Sequence, residues 1–177
     1  GNGIKTKGSD IITFRRLRVE WTGGPEASNG AYGVYPVEST DVLIEDSLVR
    51  GASDAGIYVE QSDRIIVRRN RAEFNVAGIE IENSYNADVY DNVATRNTGG
   101  ILVFDLPNLK QNGGRNVRVF NHEIVNNDTP NFAPEGNIVA TVPMGTGVLI
   151  MANRNVHVFK NRFDNNAMIH IGVVSYF

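Results

Sequence analysis

The stretch Gly56–Asn70, GIYVEQSDRIIVRRN, returns 22 residues later as Gly78–Asn92, GIEIENSYNADVYDN, with its glycine, its paired β-branched residues and its closing asparagine at the same offsets. Gly100-Ile101-Leu102-Val103 opens the phrase again after another 22 residues, and Gly147-Val148-Leu149-Ile150 does so after a longer gap. Gly33-Val34-Tyr35 and Gly3-Ile4-Lys5 fit the same opening, so the whole chain is one array. Within each unit a second apolar pair follows: Ile11/Thr13, Val42/Ile44, Ile65/Val67, Ala87/Val89, Val117/Val119 and Val156/Val158. These pairs alternate with polar residues, the period of a strand with one buried face. An asparagine position comes next, held by Asn70, Asn92 and Asn161, with Arg16, Ser47 and His122 as substitutes. Five residues on, Asn75, Asn97, Asn127 and Asn166 form a second series. Asparagine tolerates left-handed backbone and can bond its own turn, so the recurrence predicts turns stacked above one another.

A unit of about 22 residues with three short strands cannot bury a core alone, whereas stacked units bury one continuously. At roughly 4.8 Å per coil, the spacing of adjacent strands, the array would stand on the order of 30 Å tall. On these repeats the sequence resembles the right-handed parallel β-helix proteins of the pectin-lyase-like superfamily. The resemblance implies an all-β fold, a single-stranded right-handed parallel β-helix with three short parallel sheets. More narrowly, SDAGIYVEQSDRIIVRRNRAEFNVAGIEIENS and NTGGILVFDLP resemble an exported bacterial subgroup of unassigned role. The expected domain is one β-helix over residues 1–177. Because the chain starts inside a repeat without a methionine, we expect a fragment lacking earlier coils, the N-terminal cap and any signal peptide. Its expected location is periplasmic or extracellular.

The formal charge of −3 and pI near 5.6 disfavour a nucleic-acid binder. The local arginine run, Arg64, Arg68, Arg69 and Arg71, is answered by alignment: Arg15, Asp46, Arg69 and Asp91 fall at one offset, predicting a column of alternating sign. With no cysteine, disulfide and thiol chemistry are excluded. No apolar run reaches membrane-spanning length, so no membrane insertion is expected.

Three insertions break the repeat, near residues 23–31, 106–114 and 128–145, and all border the sheet that begins with the repeat glycine. Long loops on a regular scaffold are where function concentrates. If Ile57 and Val59 point inward, Tyr58 and Glu60 point outward, and the same step exposes Lys5, Tyr35, Glu80, Glu82, Leu102, Phe104, Leu149 and Met151, with His170 on the last coil. Glu60 and Glu82 should be neighbours about 5 Å apart. This face combines rings that stack on sugars with carboxylates suited to proton transfer or to calcium. We therefore expect Glu60, Glu80 and Glu82 as catalytic candidates, Glu60 and Glu82 as calcium candidates, and Tyr35, Tyr58, Phe104 and Asp105 as substrate contacts. The competing expectation is that the three glutamates simply form a solvated face.

The expected function is recognition of a polysaccharide or oligosaccharide along the first sheet, with lyase, epimerase or glycoside hydrolase chemistry as the enzymatic form. The alternative is a non-catalytic scaffold that binds proteins or associates end to end. The chain has no Asn-Thr-Asp or Gly-His-Gly element like those of polygalacturonases and no Asp-Pro-His-Asp element like that of mannuronan epimerases. No catalytic residue therefore carries over from those families. His122 occupies a ladder position and His157 the second sheet. Ile12, Leu43 and Ile66, and two residues later Tyr90, Phe120 and Phe159, form outward columns in which stacked residues support each other.

Overall fold

In a computed structural model, which describes residues 1–176, the chain winds through six coils and the first strand of a seventh. Phe177, the last residue of the expected domain, lies outside the described residues. The first sheet has seven strands: Ile4–Lys7, Tyr32–Val37, Ala55–Glu60, Ala77–Glu82, Gly99–Phe104, Thr146–Met151 and Ile169–Val174. The second has six, from Asp10–Arg15 to Arg154–Phe159, and the third has six of three residues each, from Arg18–Glu20 to Arg162–Asp164. Every pairing is parallel and joins corresponding strands of successive coils, giving a right-handed parallel β-helix. Like sits on like: Ile57, Ile79, Ile101 and Val148 form one inner column, and Ile65, Ala87, Val117 and Val156 another. The inner residues make one continuous core, each fully buried Val or Ile contributing about 1.5–3 kcal/mol.

Two devices hold the coils in register. At the repeat glycines the backbones approach too closely for a side chain: a Cβ on Gly78 would stand 2.5 Å from the Gly100 carbonyl oxygen, and one on Gly100 2.6 Å from that of Gly147. At the corners, side chains satisfy backbone groups of the preceding coil. The Ser47 N–H donates to Asn70 Oδ1 (3.0 Å), the Asn70 N–H to Asn92 Oδ1 (2.9 Å), the Asn92 N–H to His122 Nδ1 (3.0 Å) and the His122 N–H to Asn161 Oδ1 (2.9 Å). Asn75, Asn97, Asn127 and Asn166 repeat the pattern at the next corner, and Ser39, Ser62 and Ser84 form a third, shorter ladder.

The asparagines do not occupy the left-handed backbone the sequence suggested. That conformation falls on the residue just before each of them: Arg69, Asp91, Phe74 and Arg96 have φ between 52° and 57°. The ladder asparagines are selected for reach and hydrogen bonding instead. The first coil also differs by one residue from the expected alignment. Ile11 takes a left-handed corner (φ 55°) and is 82% exposed, so Ile12 and Phe14, not Ile11 and Thr13, face the core. Consequently Leu17 rather than Arg16 sits beneath Ser47, Arg16 rather than Arg15 heads the column of Asp46, Arg69 and Asp91, and Thr13 replaces Ile12 beside Leu43. Of the arginine run, Arg69 pairs with Asp46 (2.7 Å) as the alignment foresaw, and the others find partners outside that column: Arg64 with Asp41 (2.7 Å), Arg68 with Glu45 (2.7 Å) and Arg71 with Glu73 (2.6 Å). Tyr90, Phe120 and Phe159 stack at 5.0 and 4.9 Å.

Asn97 accepts from the buried Asn75 N–H and donates to the Ala72 carbonyl (3.0 Å). Asn97→Ala orphans both groups, so we expect a loss of about 2–4 kcal/mol in unfolding free energy. Urea denaturation should give a lower midpoint at unchanged slope.

Candidate functional site

Two side-chain columns run along the outer face of the first sheet: Tyr58, Glu80, Leu102 and Leu149, and beside them Glu60, Glu82, Phe104 and Met151. Lys5 pairs with Tyr35 at the first-coil end of this face. His170 does not join it. Ile171 follows Val148 in register, so His170 lies over Gly147, with its ring 5.7 Å from that of Phe163 in the third sheet.

Neither an open groove nor a solvated face results, because the insertions fold back over it. Phe132, Ala133, Ile138, Val139 and Val142 of the 128–145 insertion pack on Ala55, Ala77, Leu102, Phe104 and Met151. This roof is braced internally, Asn131 Nδ2 donating to the carbonyls of Val139 and Val142, both at 2.9 Å, and it includes one turn of 3-10 helix, Ile138–Thr141. Along the opposite edge the 106–114 insertion is fastened by Asn83 and Gln111, and the Gln111 N–H donates to Gln61 Oε1 (3.0 Å). Phe104, 1% exposed, is thus an anchor for the roof and not a platform for sugar. Asp105 is likewise occupied, accepting from the Gly113 (3.1 Å) and Gly114 (2.8 Å) N–H groups at the end of the second insertion.

Beneath the roof lie four carboxyls and three tyrosines. Glu60 and Glu82 are register neighbours, and Asp54, Glu80 and both of these are buried, Glu80 with only 1% of its surface exposed. The Tyr35 hydroxyl donates to Glu60, the Tyr58 hydroxyl to Glu82 (2.7 Å) and Gln61 Nε2 to Glu60 (2.9 Å). Tyr32 stacks on Tyr58 at 4.4 Å, and Tyr35 lies 4.7 Å from Tyr58. Asn137, from the roof, donates to Asp54 (3.1 Å). Both carboxyl oxygens of Glu80 are buried without an N–H donor among the described residues, and its carboxyl reaches that of Glu82, a contact that requires a proton on one of the two.

Burial pushes Asp54 up to about 6, against the hydrogen bonds from Tyr32 and Asn137. Burial also raises Glu82 to about 7, opposed by the Tyr58 hydrogen bond and reinforced by the charge of Glu60. Glu80 is raised well above the usual carboxylate range by burial first and then by the charges of Glu82 and Asp54. All three tyrosines are raised, chiefly by burial. Among the described residues no three His, Asp or Glu side chains converge as metal ligands, and Glu60 and Glu82 each accept a tyrosine hydroxyl. The expected calcium pair therefore has no ligand set around it.

Tyr32, Asp54, Gln61 and Asn137 escaped the sequence reading. Strict alternation counted back from Ile57 turns Ala55 and its partner Tyr32 inward, but the chain bends at the repeat glycine and both face the roof. Asn137 lies in an insertion with no repeat to align it.

A family model described as right handed beta helix region matches residues 2–176. The chain belongs to the right-handed β-helix family. No curated protein matches it. Among solved structures, a double mutant of the periplasmic alginate epimerase AlgG superposes with a TM-score of 0.58 at 13% identity, covering 99% of this chain and 48% of that one. The likeness is one of fold, and this β-helix chain spans about half the length of that structure. No described helix is long and apolar enough to cross a membrane.

The buried groups imply a defined pH dependence. Asp54, Glu80 and Glu82 are raised in the folded chain, so their contribution is full below the ordinary values of 3.8 and 4.5 and declines as pH rises through 6 and 7. His122, pushed down to about 4 by burial, acts oppositely, its contribution falling as pH drops below 6.5. Glu38, Asp41, Glu45 and Asp46, held low by hydrogen bonds from Lys7, Arg64, Arg68 and Arg69, contribute above about pH 4.5 and lose this only at lower pH. Three acids outweigh one histidine, so the urea midpoint should fall from pH 5 to pH 8, and Glu80→Gln should flatten that slope.

Proposed function

We propose that this β-helix recognises a polysaccharide along the outer face of its first sheet, approached from the first-coil end, where the exposed Lys5 covers the ring of the buried Tyr35. The observation that carries this reading is the pairing of tyrosine hydroxyls with carboxyls, Tyr35 on Glu60 and Tyr58 on Glu82, the latter pushed up to about 7 by burial. A carboxyl divided between its two protonation states near neutrality can deliver or accept a proton, and tyrosine faces stack on sugar rings. Lyase, epimerase and hydrolase reactions all move a proton at a sugar carbon or a glycosidic oxygen. Glu82, with Glu60 and Glu80 beside it, is the proton-transfer candidate. Lys5 lies 4.5 Å from the Tyr35 ring, and Lys7 and Lys110 flank Glu38 at the rim (3.2 and 3.7 Å), which favours an acidic polymer. The similar structure named as a periplasmic alginate epimerase supports polysaccharide as the ligand class and export as the location.

A second reading, the non-catalytic scaffold, is favoured by the roof itself, which packs over the face a glycan would have to reach.

A panel of uronate and neutral oligosaccharides separates the two. We expect saturable binding to a uronate chain, weakened about tenfold, or 1.4 kcal/mol, by Tyr58→Phe. Turnover, assayed on the same polymers, should be lost in Glu82→Gln, and binding should persist in chelator because the carboxyls lack a metal-ligand arrangement. Absence of saturable binding to every glycan would replace this reading with the scaffold.

A further inference from the structure

We propose that the 128–145 insertion is a proton-operated lid, seated over the carboxyl–tyrosine cluster while the cluster is protonated and lifted when it ionises. The inference deepens the reading of the first sheet's outer face as the functional site and concerns access to it.

The argument begins with what surrounds the four carboxyls. The strand Tyr32–Val37 contributes Tyr32 and Tyr35, the strand Ala55–Glu60 contributes Tyr58 and Glu60, and the strand Ala77–Glu82 contributes Glu80 and Glu82. The lid contributes the neutral amide of Asn137, while its own charged residues, Asp128 and Glu135, face solvent. Lys5 lies against the Tyr35 ring, and among the described residues no Lys, Arg or His pairs with Asp54, Glu60, Glu80 or Glu82. Elsewhere the same chain pairs its carboxylates freely, Glu45 taking both Arg15 and Arg68. The pocket under the lid therefore tolerates carboxylic acids but has no cation to receive several carboxylates.

Glu80 makes the constraint acute. Its two oxygens are buried without an N–H donor, and its carboxyl lies within hydrogen-bonding reach of that of Glu82, a contact a protonated acid makes and two anions do not. Ionisation there demands water, and the insertion packs over the same face of the sheet, reaching the cluster through the Asn137–Asp54 hydrogen bond.

The lid is built to move as one piece. Asn131 braces its interior, and its ends are fixed by Thr129 Oγ1 on the Arg96 carbonyl (2.5 Å) and the Gly145 N–H on the Thr98 carbonyl (3.0 Å). Gly136 and Gly145 have φ of 93° and 92°, conformations glycine adopts without strain. The middle is tied to the sheet by apolar contacts and by the Asn137–Asp54 hydrogen bond. That bond ends on a member of the cluster, so the latch and the acid-bearing pocket share a group.

The test is hydrogen exchange read by mass spectrometry between pH 5.5 and 8.5, corrected for intrinsic rates, with peptides from 131–142 compared against peptides from 99–104. We expect exchange of the lid to rise about tenfold or more across this range while the sheet strand stays protected, a response matching at least one unit of differential protonation. Glu80→Gln and, independently, Asp54→Asn should reduce that rise. A lid whose corrected exchange does not change with pH, or an identical rise in both variants, overturns the proposal. Glycan binding measured at both pH extremes separates the two claims: a pH-responsive lid on a protein that binds no glycan would sink the polysaccharide reading and leave the lid standing.

Discussion

Everything in this molecule depends on holding successive coils one strand spacing apart, about 4.8 Å, around the whole circumference. Strand hydrogen bonds do this along three sides, but the corners between them are bent backbone whose N–H groups have no strand partner. The asparagine, serine and histidine ladders supply those partners from the neighbouring coil. The repeat glycines remove the Cβ where two carbonyl-bearing backbones meet. His122 is instructive because it performs an asparagine's task with different atoms, Nδ1 accepting from Asn92 and Nε2 donating to the Val89 carbonyl (2.9 Å), which requires the neutral ring. Its depressed basicity follows from burial in that role.

Against this regular frame the distribution of charge becomes informative. On the second sheet and its corners, carboxylates and guanidiniums alternate from coil to coil and neutralise one another at close range, as Arg118 does with Asp88 (2.5 Å). Such exposed pairs contribute little to stability. The first sheet breaks the pattern. There Asp54, Glu60, Glu80 and Glu82 gather under an insertion, with tyrosines in place of cations. Carboxyls of this kind are costly to keep, and a fold that could have placed valine in the same columns retains them. That contrast within one chain is the physical support for the proposed site on this face.

The architecture was legible because a repeat prints the same constraint many times: the inner columns of Ile79, Ile101 and Val148 and the second asparagine series stand where the spacing predicted them. Where a coil is less regular, legibility dropped. In the first coil, consecutive isoleucines at positions 11 and 12 blur the register, although Phe14 against Thr13 favours the alignment that the left-handed corner at Ile11 produces. The site was half legible. Alternation correctly sent Tyr58, Glu60, Glu80 and Glu82 outward, yet a pattern of period two carries no information about what covers the outside. The roof comes from the apolar residues Ile138, Val139 and Val142 of an insertion, and nothing in the repeat marks them as a second, external core.

The ladders also have a direction. Asn75 is satisfied by Asn97, Asn97 by Asn127 and Asn127 by Asn166, so each corner draws its acceptor from residues synthesised later. A coil leaving the ribosome carries donors that stay open until its successor emerges, since chains fold from the N-terminus as they are made. Each turn is thus completed by the next, and the chain closes on a schedule written by translation, always one coil behind its own growing end.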